Sequence, residues 1–274
     1  MSEYEKPILN NIIAKGRTSE IYAYEPNKVL KLYHSDWPLE LIEQEIKILK
    51  TINELGIPSP RAYETIKVGG RIGLVLEELK GNSLTTELKK HPLSILQNIG
   101  LAARLQADFN SNSSQELPLQ RARLVKEITS AEIPENLRSR VLSLLNSLPD
   151  DNKVCHGDYH VDNLFATDKG LIVLDWATAT RGNSLGDLAR TILLIKIGAP
   201  PEHTSNIDRT ILNTGRLILP LDKIYLKEYS KIASVLSDQL NSWVAVSAAA
   251  RLSENYPEER GKLLAIISST TKLE

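Results

Sequence analysis

The apolar pattern of this 274-residue chain changes its period near Gly81. Before that point, short β-branched and aromatic runs alternate with turn residues, which is typical of strands. These runs are PILNNIIAKG, EIYAYEP, KVLKLY, AYETIKV and IGLVLEEL. The last two flank Gly69 and Gly70, a pair that predicts a hairpin turn. One segment differs: PLELIEQEIKILKTINELG has apolar residues at helical spacing from Ile42 to Ile52. The first eighty residues therefore predict a sheet with one helix.

After Gly81 the chain is mostly helical in pattern. The amphipathic segments are PLSILQNIGLAARLQADF, ENLRSRVLSLLNSL, GDLARTILLIKIG, LKEYSKIASVLSDQLNSWVAVSAAARLSE and ERGKLLAIIS. Between them lie a polar stretch, CHGDYHVDN, and a strand-like run, GLIVLDW. This order is neither a regular alternation of strands and helices nor all-β, and it predicts an α+β chain with two lobes. We place the strand-rich lobe at residues 1–80 and the helical lobe at residues 81–274, with a connector near Glu77–Gly81.

Composition limits the partners of the chain. A formal net charge of −1 provides no field that would attract nucleic acid or an anionic membrane. No apolar run approaches the roughly 18 residues of a membrane span, and the N-terminus lacks the pattern of a signal peptide. The single cysteine, Cys155, excludes an internal disulfide and is consistent with a reducing compartment. We expect a cytoplasmic protein, and we leave its oligomeric state open.

The stretch CHGDYHVDN crowds two histidines, two aspartates and an asparagine into nine residues. On an extended strand, His156, Asp158, His160 and Asp162 would face one side, as a metal-dependent hydrolase requires. However, Gly157 and the following VDN favour a loop, and the other three histidines form no ligand-spaced pair. Short polar side chains also simply satisfy turns. A catalytic loop is the third interpretation.

Asp175 favours the catalytic loop. It ends the apolar run GLIVLD, twelve residues after Asn163. A carboxylate at the tip of a buried strand is costly unless it is paired or binds a cation. Phosphoryl transfer requires a base and two oxygen ligands for Mg²⁺, and Asp158, Asn163 and Asp175 offer them. The Asp-x4-Asn spacing also matches the kinase catalytic loop.

The N-terminal lobe should then supply a phosphate clamp. Lys31 lies in mid-strand between apolar neighbours, and Glu45 follows fourteen residues later on the predicted helix. A strand lysine paired with a helix glutamate positions nucleotide phosphates in kinases. The alternative for Lys31 is an ordinary exposed lysine on a strand. The alternative for Glu45 is an ordinary solvated charge on a helix. Gly16 and Ser19 lie in a turn between two strands, where backbone N–H groups would cover phosphate.

Five segments carry a family resemblance: HGDYHVDN, VLDW and GNSLGDLAR, supported by KVLKLY and EQEIKIL. In them the chain resembles the aminoglycoside phosphotransferase and choline kinase family of the protein-kinase-like superfamily, over about Ile12 to Ser253. The resemblance implies a bilobal protein-kinase-like fold. It also implies transfer of the γ-phosphate of ATP, with Mg²⁺, to a hydroxyl of a small metabolite or antibiotic.

The resemblance also assigns site residues. Asp158 is the catalytic base, and His160 lies near the transferred phosphate. The remaining assignments are Asn163 and Asp175 as Mg²⁺ ligands, Lys31 paired with Glu45, the backbone of Glu77 and Leu79 at adenine, Gly16 and Ser19 in a shortened phosphate loop, and His156 and Asp187 as internal supports.

The chain departs from protein kinases in ways that bear on its substrate. It lacks a full G-x-G-x-x-G motif, and no long activation segment or Ala-Pro-Glu follows Asp175. A small-molecule acceptor is therefore expected in place of a protein.

From Arg190 to Glu274 there are nine acidic and eleven basic residues. This balance does not favour polycations, so we expect aminoglycosides to be poor acceptors. GTP is not excluded as the donor. Trp243 is expected to be buried, and Trp176 either is buried too or stacks on the acceptor.

Two other function classes remain open from the sequence. A catalytically silent nucleotide-binding module would keep the fold as a scaffold. Degenerate kinases typically lose the residues corresponding to Lys31, Asp158 and Asp175, and this chain has all three. A metal-dependent hydrolase is the other alternative.

Overall fold

This computed structural model describes residues 11–16, 18–199 and 219–270. Its strands are β1 (Ile12–Lys15), β2 (Ser19–Ala23), β3 (Lys28–Tyr33), β4 (Ala62–Val68), β5 (Arg71–Glu77), β6 (Asn82–Ser83), β7 (Lys153–Cys155), β8 (Leu164–Thr167), β9 (Gly170–Val173) and β10 (Thr180–Gly182). Its α-helices are α1 (Leu39–Glu54), α2 (Leu84–Lys90), α3 (Ile95–Ser111), α4 (Gln120–Ser130), α5 (Glu135–Ser147), α6 (Ser184–Ile197), α7 (Leu221–Tyr229), α8 (Ser237–Arg251) and α9 (Pro257–Thr270).

The chain divides into two compact units. The N-terminal unit contains the described residues up to Glu87 together with Val161–Thr178. The C-terminal unit contains Leu88–His160 and the described residues from Ala179 onward. The predicted division between functional lobes at residues 80 and 81 stays a prediction.

An antiparallel five-stranded sheet dominates the N-terminal unit, with the order β1-β2-β3-β5-β4. β4 and β5 form the predicted hairpin, and its turn residues Gly69 and Gly70 have φ of 56° and 80°. Positive φ at both central residues is the geometry that a two-residue turn requires, so this prediction is confirmed. Apolar side chains of the sheet, including Leu30, Ile66 and Val75, form a buried cluster.

Helix α1 confirms the predicted helix of this unit. It buries one face through Ile42, Ile46, Ile48, Leu49 and Ile52. The helix packs against the short 3₁₀ turn Trp176–Thr178. A second sheet in the same unit has the order β6-β8-β9, so the hairpin β8–β9 belongs to the N-terminal unit although it comes late in the sequence.

The C-terminal unit is mostly helical. Helix α8 packs against α4, α5, α6 and α9, which explains its apolar SWVAVSAAA run, and the predicted burial of Trp243 is confirmed. The long segment LKEYSKIASVLSDQLNSWVAVSAAARLSE forms two helices, where the sequence suggested continuous helix. α7 ends at Tyr229 and α8 begins at Ser237. The connection contains Ser230 and Ser234, residues that compete for backbone hydrogen bonds and weaken a helix.

The predicted α+β class, with a strand-rich N-terminal lobe and a mostly helical C-terminal lobe, is confirmed. None of the described helices has the length and apolar character needed to cross a membrane.

Candidate active site

Lys31 and Glu45 form an ion pair in the N-terminal unit. Lys31 lies in the middle of β3, paired with Ile21 of β2 and Leu74 of β5. Its ammonium group donates to the Glu45 carboxylate of α1, and the two side chains are only 16% and 12% exposed. Glu45 is partly covered because it lies beside the buried face of α1, whereas its neighbour Glu43 is exposed. The ion pair therefore connects the five-stranded sheet to α1.

Tyr33 adjoins this pair and was not identified from the sequence. Its ring centroid lies 5.3 Å from the Lys31 ammonium group, and the side chain is completely buried. Residues two apart on a strand point to the same face, so the KVLKLY pattern itself places Tyr33 on the Lys31 face. That period-2 relation was the available sequence signal.

The two predicted metal ligands lie at the open end of the β8–β9 hairpin. Leu164 pairs with Val173, and the Leu174 N–H donates to the Asn163 carbonyl at 2.8 Å. Asn163 thus directly precedes β8, and Asp175 lies two residues beyond the end of β9. This register brings the two ends of the hairpin together.

Asp175 differs from the sequence expectation in one respect. It is exposed to solvent, so the cost of burying its carboxylate does not apply. The strand ends earlier than expected, at Val173, and Asp175 has a left-handed backbone with φ of 53°. That conformation is uncommon for a residue other than glycine, and such backbone outliers cluster at functional sites. The following Trp176 is buried, as predicted, and its ring N–H donates to the Val173 carbonyl.

Carboxylate and amide oxygens are the hard ligands that Mg²⁺ takes from proteins. Asn163 and Asp175 supply one of each. The part of the chain that the structure describes contains no group of three or more His, Cys, Asp or Glu placed to hold a metal. Two protein oxygens match an ion that keeps several waters and binds substrate phosphates.

The residues predicted to contact adenine and phosphate lie at the ends of strands. The Glu77 N–H donates to the Arg61 carbonyl at 2.9 Å, so a backbone bond from Glu77 to a base would use its carbonyl. Leu79 follows two residues after the end of β5. Between β1 and β2, the Gly16 N–H donates to the Ser19 carbonyl at 2.8 Å, which closes the turn.

The loop that carries Asp158 is anchored inside the C-terminal unit. It has an irregular backbone, so the extended strand that the metal interpretation needs is not formed. His156 is fully buried, and its Nδ1 accepts a hydrogen bond from the Asp158 N–H. Gly157 has φ of 82°, and a Cβ there would lie 2.0 Å from Arg123 Nη1. Only glycine can occupy this position without displacing Arg123.

Asp187 supports this loop from α6. It is 1% exposed, and its Oδ1 accepts the Gly157 N–H at 2.7 Å. Its Oδ2 accepts hydrogen bonds from Gln106 at 3.0 Å and from Asn110 at 3.1 Å, both on α3. Three neutral donors thus stabilise one buried carboxylate.

The Asp158 side chain contacts two cationic or potentially cationic groups of the same unit. Arg190 Nη2 donates to Oδ1 at 3.0 Å, and His160 Nε2 lies 3.4 Å from Oδ2. Burial alone would raise the pKa of Asp158. The contact with His160 and the Arg190 charge outweigh burial and hold the pKa of this carboxyl well below its usual range. Asp158 is therefore ionised at neutral pH.

Arg190 was not identified from the sequence, although it lies in the GNSLGDLAR segment. Its guanidinium also donates to Glu254 at 2.6 Å, and Glu254 pairs in turn with Arg251. Arg251 is buried and forms a two-bond ion pair with Glu259 of α9. An alternating chain of charges thus joins Asp158 to the last described helix.

The sequence profile of the phosphotransferase enzyme family matches residues 12–209. The chain belongs to this family. No protein in the curated set matches it.

Solved structures have the fold of this phosphotransferase-family chain. One is a protein from Ralstonia eutropha JMP134 provisionally named an aminoglycoside phosphotransferase, with 15% identity and a TM-score of 0.62 over 98% of this chain and 94% of that one. Another is aminoglycoside phosphotransferase APH(4)-Ia, solved as a thermostable mutant with ADP and hygromycin B, with 10% identity and a TM-score of 0.61 over 96% and 92%. Choline kinase from Cryptosporidium parvum has 12% identity and a TM-score of 0.58 over 96% and 87%. At these identities the likeness shows the fold alone.

Proposed function

We propose that this phosphotransferase-family protein transfers the γ-phosphoryl group of ATP, with Mg²⁺, to a hydroxyl of a small molecule. The observation that carries the proposal is in the N-terminal unit. There the Lys31–Glu45 ion pair and the oxygen ligands Asn163 and Asp175 belong to one compact body. These are the groups that position phosphates and their metal in phosphoryl transfer.

Lys31 would contact the phosphates of the nucleotide, and Glu45 would keep its ammonium group in place. Asn163 and Asp175 would hold Mg²⁺, which when bound neutralises charge on the phosphate oxygens. Gly16 and Ser19 would cover the phosphates with backbone groups. The Glu77 carbonyl and the Leu79 backbone would meet the base. Two solved structures with this fold contain ADP, which supports a nucleotide donor.

Asp158 would orient the acceptor hydroxyl and accept its proton. The acceptor oxygen forms a bond to the γ-phosphorus as the bond from that phosphorus to the bridging oxygen of ADP breaks. His160, 3.4 Å from Asp158, would contribute positive charge beside the transferred group when it is protonated. His156 and Asp187 keep the loop in position and do not contact the reacting atoms.

The acceptor is proposed to be small because the chain from Asp175 leads almost directly into α6, through the short strand β10. No segment comparable to a kinase activation loop lies between Asp175 and Ser184, so a docking surface for a protein substrate is missing there. ATP is the proposed donor, and GTP has to be compared with it because backbone contacts to a base do not select between the two.

An acceptor screen tests the proposal. Purified protein is incubated with Mg·ATP, and separately with Mg·GTP, and with a panel of hydroxyl compounds that includes choline-like amino alcohols, sugars and aminoglycosides. We expect release of ADP or GDP that depends on one acceptor class and disappears in Asp158→Asn. Mg·ATP binding without turnover on any acceptor would favour the silent nucleotide-binding module. Stoichiometric zinc in protein purified without added metal would favour the metal-dependent hydrolase.

A further inference from the structure

Arg123 of α4 packs against the loop that carries Asp158, and sequence reasoning did not identify it. A Cβ on Gly157 would lie 2.0 Å from Nη1 of this arginine, so the guanidinium group occupies the space beside the glycine. Its Nη2 donates to the Gly157 carbonyl at 3.4 Å. Gly157 therefore permits both the positive φ of the loop and the close approach of the arginine.

The peptide group that precedes Asp158 is bonded at both of its ends. Its carbonyl, that of Gly157, accepts from Arg123. Its N–H, that of Asp158, donates to His156 Nδ1 at 3.2 Å. A peptide group is planar, so bonds at both ends restrict its rotation, and that rotation sets the direction in which the Asp158 side chain leaves the backbone. Arg123 thus bears on the orientation of the carboxylate through the main chain.

Arg123 is itself fixed in place. Its side chain is 22% exposed, and its Nε lies 3.5 Å from Oε1 of Glu127, one turn later on α4. Asp187 of α6 accepts the Gly157 N–H at 2.7 Å. Hydrogen bonds with one charged partner are stronger than those between neutral groups. Two helices therefore bond the backbone of the residue directly before Asp158, each through a charged side chain.

We propose that Arg123 is a positioning residue for Asp158. By bonding the Gly157 carbonyl, it keeps the carboxylate directed towards the acceptor hydroxyl. This inference rests on the proposed function. It assigns Arg123 to the acceptor and not to the nucleotide, because the residues proposed to bind phosphate and metal belong to the N-terminal unit.

Arg123→Ala removes the guanidinium group. The kcat on the acceptor found in the screen should fall at least about tenfold, since a displacement of about 1 Å can cost about a hundredfold in rate. The Kd for Mg·ATP, measured by calorimetry, should stay the same. Arg123→Met keeps the aliphatic part of the side chain and should show the same loss, which separates the lost hydrogen bond from lost packing.

The matched control is Arg121→Ala. Arg121 also lies on α4 and donates to backbone carbonyls, but these belong to Leu145 and Leu148, outside the loop of Asp158. This variant should lower the Tm and leave kcat unchanged.

Two double variants test how Arg123 acts. Gly157→Ala places a methyl group where the guanidinium lies, so it should lower kcat both by displacing Arg123 and by straining the backbone. In the Arg123→Ala background only the strain remains, so the two losses should be less than additive. Adding Glu127→Gln to Arg123→Ala removes the carboxylate that has lost its partner, and kcat should stay low.

Unchanged kcat in both Arg123 variants of an otherwise active enzyme would overturn this inference alone. Additive losses in the Gly157 cycle, or recovery of kcat with Glu127→Gln, would also overturn it. A weaker affinity for Mg·ATP would place Arg123 in nucleotide binding instead. If the wild type phosphorylates no acceptor, the proposed function fails and this inference fails with it.

Discussion

The Asp158 carboxylate is held through both of its oxygens. Arg190 bonds to Oδ1, and His160 contacts Oδ2. Both contacts favour the ionised form, so in the proposed reaction Asp158 would orient the acceptor hydroxyl more effectively than it would abstract a proton early. This agrees with phosphoryl transfer, in which positioning and electrostatic stabilisation dominate.

Asp158→Asn keeps the shape of the side chain and removes its charge and basicity. We expect turnover on the acceptor found in the screen to fall at least about a hundredfold, since a positioned base typically contributes about 10²–10⁴-fold. The affinity for Mg·ATP should stay nearly the same, because phosphate and metal are assigned to other residues. Steady-state kinetics and calorimetry measure the two quantities. Loss of Mg·ATP binding in this variant would make Asp158 a metal ligand or a structural support.

The Asp158–Arg190 contact also predicts how stability depends on pH. The folded state lowers the pKa of Asp158, so the contact stabilises the protein fully above the unfolded-state pKa of about 3.9. That stabilisation is lost as the pH falls below this value towards the lower folded-state pKa. The difference in unfolding free energy between wild type and Arg190→Gln should therefore shrink on acidification below about pH 4.

The matched control for this titration is Arg181→Gln. Arg181 donates to the Leu117 carbonyl and the Asn152 side chain, and it forms no ion pair within the described residues. Its removal should cost the same at every pH in a series of urea unfolding curves. If the two arginine variants show the same pH dependence, the Asp158–Arg190 ion pair is not its source.

At the scale of elements, the β8–β9 hairpin carries an aspartate at each of its two ends. Its open end is flanked by Asn163 and Asp175, and its turn end carries the exposed Asp168. Comparing substitutions of Asp175 and Asp168 therefore distinguishes a role in metal binding from a general effect of negative charge on this hairpin.

Asp175→Ala should abolish turnover and weaken Mg·ATP binding at least about tenfold, because even residues that only support a metal ligand cost about 10–100-fold. Asp168→Ala should leave both unchanged. Calorimetry at several Mg²⁺ concentrations measures the effect, and the difference between the variants should disappear when EDTA removes the metal. Unchanged turnover in Asp175→Ala would remove the metal role.

Asp187 joins α3, α6 and the loop of Asp158. Asp187→Ala would remove the acceptor of the Gly157 N–H and one of two acceptors of the Gln106 and Asn110 side-chain amides, so we expect the unfolding free energy to fall by about 2–4 kcal/mol. The control is Asp222→Ala on α7, whose carboxylate lies 3.7 Å from Lys196 in a surface pair. That change should cost less than about 1 kcal/mol. Equal costs in urea unfolding would contradict the assignment of Asp187 as an internal support.

Sequence reasoning identified elements well where a local pattern determines them. The hairpin at Gly69 and Gly70 follows from turn chemistry, and α1 follows from apolar spacing. The Lys31–Glu45 contact joins a strand to the next helix along the chain, so chain order was enough to suggest it. In contrast, the contact between Asp158 and Arg190 joins residues 32 positions apart, and it depends on how α6 packs beside the loop.

Two errors have the same physical origin. The sequence placed Asp175 on a buried strand, but the strand ends at Val173 and the carboxylate is exposed. It also extended helix through Ser230–Leu236, where the structure has a connection between α7 and α8. Local propensity determines the type of an element more firmly than its ends, which depend on tertiary packing.

At the scale of the whole molecule, charge balance bears on the acceptor. The formal net charge is −1, and Asp158 and Glu254 share the Arg190 guanidinium. This arrangement offers no surplus of acid for a polycation. We expect kcat/KM for kanamycin to be at least about tenfold lower than for the best acceptor in the screen. Efficient phosphorylation of kanamycin, or resistance of cells that express the protein, would contradict this expectation.

The hairpin β8–β9 has a consequence for how the protein is made. The N-terminal unit needs Val161–Thr178, so Leu88–His160 leave the ribosome before that unit has all its parts. At about 5–20 residues per second, the ribosome takes roughly 5–20 s to travel from Glu87 to Thr178. During that interval the five-stranded sheet and α1 are already available, but the turn Trp176–Thr178 that packs against α1 has not been synthesised. The N-terminal unit, which is translated first, therefore cannot finish folding until Thr178 has been synthesised. Until then α1 lacks its contact with the turn Trp176–Thr178.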